Sequence, residues 1–268
     1  MINLLHKNVG RKLFYAISAL LWLLRFTLGA SLFSFAAAVA RRLPRGEGVI
    51  FERSRCFSCG RVLHPTELIP CFSYLIQRGR CKGCGGKIPV RDFWLEVLGG
   101  ACACAAVLRW GGGTARTALV FLVLTLLAIV ALIDYDTMEI FDRFHIFLLL
   151  CGAVAIWIFP EIGLTARLIG CVTLSVPLLI VAVLIPGGFG GGDIKLTFAL
   201  GFLLGWKGML CAGFLSIFSA GFWCFWKLLR KRAKRKDQIA FAPFICAGAG
   251  VSLFYGNEIV DWWLGLAR

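Results

Sequence analysis

Two aspartates stand at the edges of long apolar runs. Asp134 closes the charge-free stretch 118–133, and Asp193 closes 168–192. A carboxylate beside hydrocarbon is costly, so an ionisable group there is a functional candidate by default. Two such groups at one depth point to a shared proton and an acid–base pair. In a paired-aspartate peptidase one carboxylate is ionised and takes a proton from water, while its protonated partner donates to the scissile carbonyl oxygen. Like charges a few ångströms apart split the titration of the pair without any other device. Residue chemistry alone leaves open a proton relay or two unrelated interfacial acids.

The neighbours narrow these readings. Asp134 is followed by Asp136, Glu139 and Asp142. Such an acidic segment suits a solvated loop or a hard cation, but it lacks the Gly and Asn of a calcium loop. Asp193 ends the glycine-rich stretch 187–192, which includes Gly190 and Gly192. Glycines let the backbone unwind where a helix starts at the membrane. Irregular backbone at that depth needs a protein-lined or watery cavity. A phosphate-cradling loop is disfavoured, because no Gly-Lys-Ser/Thr follows and an acid there repels phosphate. Lys195 is placed either to pair with Asp193 or to reach headgroups.

A second constellation is Cys56-Phe-Ser-Cys59, then 21 residues, then Cys81-Lys-Gly-Cys84. Two CxxC pairs at this separation match a four-sulfur tetrahedral site of zinc-ribbon type. Gly60 and Gly85 suit the tight turns around a metal. Four thiolates leave zinc no open position, so the expected role is to fold a small lobe that has too little apolar content to fold alone. Redox exchange by the cysteine pairs is the rival reading, and a reducing compartment weighs against it. His64 lies between the pairs and reads as a surface residue. The other eight cysteines are scattered and read as small packing residues.

These groups must be held by membrane helices. Of 268 residues, 59% are hydrophobic, and the mean hydropathy is +0.83. Both are too apolar for a water-soluble domain of this length. Spans of roughly 20 mostly apolar residues are expected near 13–40, 93–109, 115–133, 143–159, 164–185, 195–206, 208–226 and 239–257. The formal net charge of +15 could suggest nucleic acid, but its distribution argues against that partner. Eleven of the 29 Lys and Arg lie in 41–92 and seven in 227–236. That is the bias of cytoplasmic loops, with the later run facing anionic lipid headgroups of the bilayer. Lys7, Arg11 and Lys12 before an apolar stretch resemble a signal peptide. Only three basic residues precede the first helix, however, against eleven after it. This favours an uncleaved helix with its N-terminus outside. Threading on from there puts both basic clusters and both aspartates on the cytoplasmic side.

The expected fold is therefore an all-α polytopic membrane protein of about eight transmembrane helices with a small cytoplasmic zinc-ribbon-like cysteine lobe. Residues 1–40 form the first helix, 41–92 the cysteine domain, and 93–268 the domain that bears the aspartates. No internal repeat is evident. A proton-coupled carrier could use the same acids, but it calls for matched inverted halves, which the sequence does not show.

The ordered motifs resemble the type IV prepilin peptidases, the bacterial leader peptidase/N-methyltransferase family, and more distantly the GxGD membrane aspartyl proteases. The resemblance runs from Ser34 to the C-terminus. It is carried by Ser34-Phe35 through Arg42-Leu43-Pro44, Ser54 to Gly60, Leu68-Ile-Pro70 with Ser73-Tyr-Leu75, Arg78 to Cys84, and Glu96. Ile133-Asp134 through Asp142, Gly190 to Lys195-Leu196, and Phe241-Ala-Pro-Phe244 complete it. It implies that Asp134 and Asp193 are catalytic and that the substrates are prepilins or pseudopilins cut after a glycine at the cytoplasmic face of the bacterial inner membrane. It further implies that S-adenosylmethionine methylates the new N-terminal residue. Where the family usually has Gly, Asn, Pro, Pro and Gly, this chain has Phe33, Ala37, Phe141, Ala240 and Ala242.

Overall fold

The computed structural model describes residues 2–49, 52–56, 58–185, 188–230 and 239–265, with side chains from Phe14 onward. The described residues are all-helical with no strand, apart from two isolated β-bridges. The helices are α1 (Ile2–Arg42), α2 (Phe72–Ile76), α3 (Val90–Trp110), α4 (Ala115–Thr137), α5 (Asp142–Ile158), α6 (Leu164–Leu184), α7 (Gly191–Leu229) and α8 (Ala242–Trp263). Five helical segments are long and apolar enough to cross a membrane: Phe14–Arg45, Val90–Trp110, Ala115–Thr137, Leu164–Leu184 and Gly191–Leu229. Each expected span falls on helix. The first begins earlier, near Ile2, and the last runs on to Trp263, because both margins keep helix-forming residues. The basic run expected at 227–236 lies outside the described residues from 231 onward.

The chain divides into two compact units. The first comprises Met1–Val39 and Glu47–Gly112. In it α1 crosses α3 closely through glycines. A Cβ on Gly29 would meet the Gly99 carbonyl oxygen at 2.4 Å, and one on Gly99 would meet Phe33 at 2.5 Å. Small residues let membrane helices approach backbone to backbone, and Gly99 makes the room that Phe33 fills. The Glu96 carboxylate accepts hydrogen bonds from Ser34 Oγ at 2.7 Å and from the Cys71 N–H at 2.7 Å. One acid thus ties α3 to α1 and to the cysteine lobe.

That lobe contains a repeat that the sequence reading missed. Cys56 N–H donates to the Arg61 carbonyl and Gly60 N–H to the Cys56 carbonyl; Cys81 N–H donates to Gly86 and Gly85 N–H to Cys81. Gly60 and Gly85 share a left-handed backbone, φ 70° and 69°. The bridges Arg55–Val62 and Arg80–Lys87 close the two knuckles in the same way. Both copies read Arg-Cys-x-x-Cys-Gly, from Arg55 to Gly60 and from Arg80 to Gly85. Beneath them Arg61 bonds both oxygens of buried Glu67, at 2.8 and 3.0 Å.

The second unit, Ala40–Gly46 with Gly113–Arg268, holds both aspartates. Its centre is the contact of α6 with α7. A Cβ on Gly201 would lie 2.1 Å from the Gly170 carbonyl oxygen, so the backbones touch there. The two expected helices 195–206 and 208–226 are the two arms of α7, divided at Gly205 (φ 72°, ψ 173°). A Cβ at Gly205 would strike Ile162 Cγ2 at 2.8 Å. The break separates the Phe202 and Leu203 carbonyls from their usual donors four residues on. Arg167, fully buried, supplies the substitute: Nη1 donates to Phe202 at 3.2 Å and to Leu203 at 2.8 Å. Its Nη2 reaches the Ala155 and Phe159 carbonyls and its Nε reaches Ile162. A broken backbone inside a bilayer needs such internal partners.

Candidate active site

Asp134 sits in the last turn of α4. That helix starts on a Thr114 side-chain cap and ends where Met138 turns left-handed and its N–H bonds the Asp134 carbonyl at 2.9 Å. Asp193 sits in the first turn of α7, its N–H donating to the Gly190 carbonyl at 3.1 Å. An acid is favourable at a helix N-terminus, where free N–H groups converge. Both side chains are buried.

The third element is the start of α8. The Ala242 N–H, the first of that helix, donates to Asp134 Oδ2 at 3.1 Å. Asp134 therefore caps α8 from a different helix, in place of Phe241, which offers no side-chain bond. The donor is a backbone N–H, which an alanine supplies. The two carboxylates lie within electrostatic reach of each other, and fully buried Cys246, one turn along α8, feels both. Asp193 Oδ1 has no hydrogen-bond partner. The loop after Asp134 also meets the loop before Asp193, since a Cβ on Gly192 would touch Ile140 at 3.2 Å. Phe189 packs on Phe241 with ring centroids 5.1 Å apart.

The supporting residues are distributed differently from expectation. Lys195 Nζ binds Asp142 Oδ1 at 2.7 Å, so it neither pairs with Asp193 nor stands alone at headgroups. Asp142 begins α5 beside α7 and is closer to the lysine than the orphaned carboxylate is. Asp136 and Glu139 are exposed. Gly190 and Gly192 shape the turn that delivers Asp193. The sequence reading passed over His145, one turn into α5 and buried, and over Arg167. A lone histidine three residues after Asp142 and an arginine ahead of an apolar run were the available signals.

In the first unit the sulfurs of Cys56, Cys59, Cys81 and Cys84 lie within 4.8 Å of one another, which fits one metal ion. The N–H groups of Cys84 and Gly83 pull the Cys81 thiol down to about 6. The Cys59 and Ser58 N–H groups lower Cys56 as well. At Cys84 the Gly86 N–H favours the thiolate, but the adjoining Cys59, Cys81 and Cys56 sulfurs and burial outweigh it and push the group to about 11. Four sulfurs this close do not all ionise unless a cation sits among them. His64 is exposed, as expected of a residue outside the tetrad.

Residues 27–110 match the bacterial peptidase A24 N-terminal domain, and residues 121–225 match the type IV leader peptidase family. A prepilin leader peptidase/N-methyltransferase of Bacillus subtilis is 35% identical over 243 residues, covering 90% of this chain and 97% of the relative. The chain belongs to the type IV leader peptidase family. Proteins of the same name from Burkholderia pseudomallei and Aeromonas hydrophila are 33% and 29% identical, over 80% and 82% of this chain and 71% and 80% of the relatives. No solved structure matches the chain. Membership makes this chain an enzyme and gives its two buried acids a chemical context.

Proposed function

We propose that this type IV leader peptidase family member is an aspartic endopeptidase of the bacterial inner membrane. It removes the basic leader of prepilins or pseudopilins, cutting after a glycine at the cytoplasmic face, with Asp134 and Asp193 as the reacting pair. The observation that carries the reading is the meeting of two buried carboxylates from α4 and α7 at the head of α8. Hydrogen bonds to a carboxylate favour its charged form. Asp134 receives the Ala242 N–H, and Asp193 lies in the first turn of α7. One carboxylate of the pair takes the proton from water, while the other holds the shared proton and passes it to the scissile carbonyl. Gly190 and Gly192 hold the turn; Lys195 and Asp142 brace it. Asp136 lies on the solvent side.

The charge distribution supports eight spans with both aspartates and the lobe inside, and a division of the chain at about 40 and 92. The lobe holds structural zinc through Cys56, Cys59, Cys81 and Cys84. Methylation of the new N-terminus from S-adenosylmethionine is proposed from the family alone, because no cradle for that molecule stands out among the described residues. The test is to incubate purified enzyme with a candidate prepilin and S-adenosylmethionine and to weigh the product. Asp134→Asn and Asp193→Asn should each abolish cleavage while the protein still inserts. Methyl transfer to pre-cut pilin should persist in both. Normal processing by either variant would falsify the paired-acid reading.

A further inference from the structure

Among the described residues only three buried side-chain atoms lack a hydrogen-bond partner: Asp193 Oδ1 and both ring nitrogens of His145. They belong to the heads of α5 and α7, which pack together. The His145 ring faces the Gly192 backbone, next to Asp193, close enough for a weak polar contact but without a well-formed hydrogen bond. Its Nδ1 comes within 3.4 Å of Asp142 Oδ1 without hydrogen-bond alignment, and that carboxylate is already held by Lys195. A buried polar group left unpaired is expensive and calls for an explanation.

His145 also lines a groove of about 530 Å³ between α5, α6 and α7. Asp142, His145 and Lys195, all near the starts of α5 and α7, stand at one end of a lining that is almost wholly apolar. Elsewhere the groove is walled by apolar side chains such as Leu149, Val176, Leu179 and Phe198. One end of the groove is lined by Ile194 and Lys195, which follow Asp193 in sequence, and the rest runs along the apolar stretches of α5, α6 and α7. A peptide cut at the aspartates must lose its helical hydrogen bonds around the scissile bond, and in a bilayer the freed N–H and C=O groups need protein partners. A neutral imidazole offers one donor and one acceptor.

We infer that His145 is a positioning residue for the substrate. It hydrogen-bonds the unwound backbone next to the cleaved bond, while the apolar stretch that follows lies in the groove between α5, α6 and α7. The inference rests on the peptidase reading above and deepens it. Charge and shape favour this occupant over a free lipid chain, because an acyl chain gives nothing to ring nitrogens that lack a well-aligned partner.

The experiment uses the whole chain in nanodiscs with a candidate prepilin that carries a basic leader and a scissile glycine. If the wild type does not cleave it, the peptidase reading fails; the remaining arms bear on His145. His145→Leu should raise KM about three- to tenfold, the loss expected for one hydrogen bond. It should leave the melting temperature equal or higher, since a buried unpaired polar group is gone. His145→Gln, which keeps a donor and an acceptor, should recover most of the loss. A photoreactive residue at Val176, in the Asp193→Asn background, should crosslink to the segment after the scissile glycine. Unchanged KM in the leucine variant, or a crosslink to lipid alone, overturns the inference. So does a lowered melting temperature that accounts for all the lost activity.

Discussion

Replacing Arg167 with methionine removes the guanidinium that ties α5 and α6 to the arm of α7 ahead of its break. Five carbonyls receive its N–H groups. Ala155 and Phe159 already accept a backbone N–H, so they lose only a second bond. Phe202 and Leu203 are different, because Gly205 stands between them and their helix donors. Each buried acceptor left unpaired costs about 1–3 kcal/mol, which gives roughly 2–6 kcal/mol for the two. The value should fall toward the lower end, since polar groups in membrane proteins find substitute partners when unfolded. Arg167→Lys should lie between, because one ammonium cannot span carbonyls on three elements. Reversible unfolding in mixed micelles, followed by circular dichroism, measures both. A methionine variant within about 0.5 kcal/mol of wild type, the range of an ordinary surface change, would refute the role given to this residue.

Further expectations concern other parts of the chain. Gly201→Ala forces a Cβ onto the Gly170 carbonyl and should destabilise the α6–α7 pair by about 1–3 kcal/mol, read in the same micelles; a neutral result would mean that the helices do not touch there. Elemental analysis should find one zinc per chain, and Cys81→Ser or strong chelation should release it and expose the lobe to protease. Glu67 has its carboxyl held below the ordinary range, first by the Arg61 hydrogen bond and then by the His64 N–H. A depressed folded pKa adds stability above the unfolded value, and that stability disappears as pH falls through the folded one. Protease resistance of the lobe should therefore drop on acidification. Glu67→Gln should remove that part of the pH dependence.

Much of this was legible in the chain. The apolar runs located the helices, and even the break in α7 was visible as two short apolar segments parted at Lys207, two residues past Gly205. Asp134 and Asp193 were legible because acids next to hydrocarbon are rare. The cysteine tetrad was legible from spacing. What escaped depends on encounters between distant segments. Asp134 capping α8, Asp142 taking Lys195, and Arg167 collecting carbonyls from three elements are set by packing, which no local pattern encodes. The matching backbone hydrogen bonds of the two knuckles escaped as well, although Arg-Cys-x-x-Cys-Gly stands at both.

Main chain rests on main chain where Gly170 meets Gly201, so α6 and the front arm of α7 have no flexible padding between them and must travel as one rail. The neighbouring contact of α5 with α7 is cushioned: Gly152 faces the ring of Phe202, whose Cδ1 a Cβ would approach at 2.6 Å, and a ring can swing aside. Whatever yielding is needed to let a foreign chain slide in from the bilayer therefore falls to α5, on the side where the histidine waits.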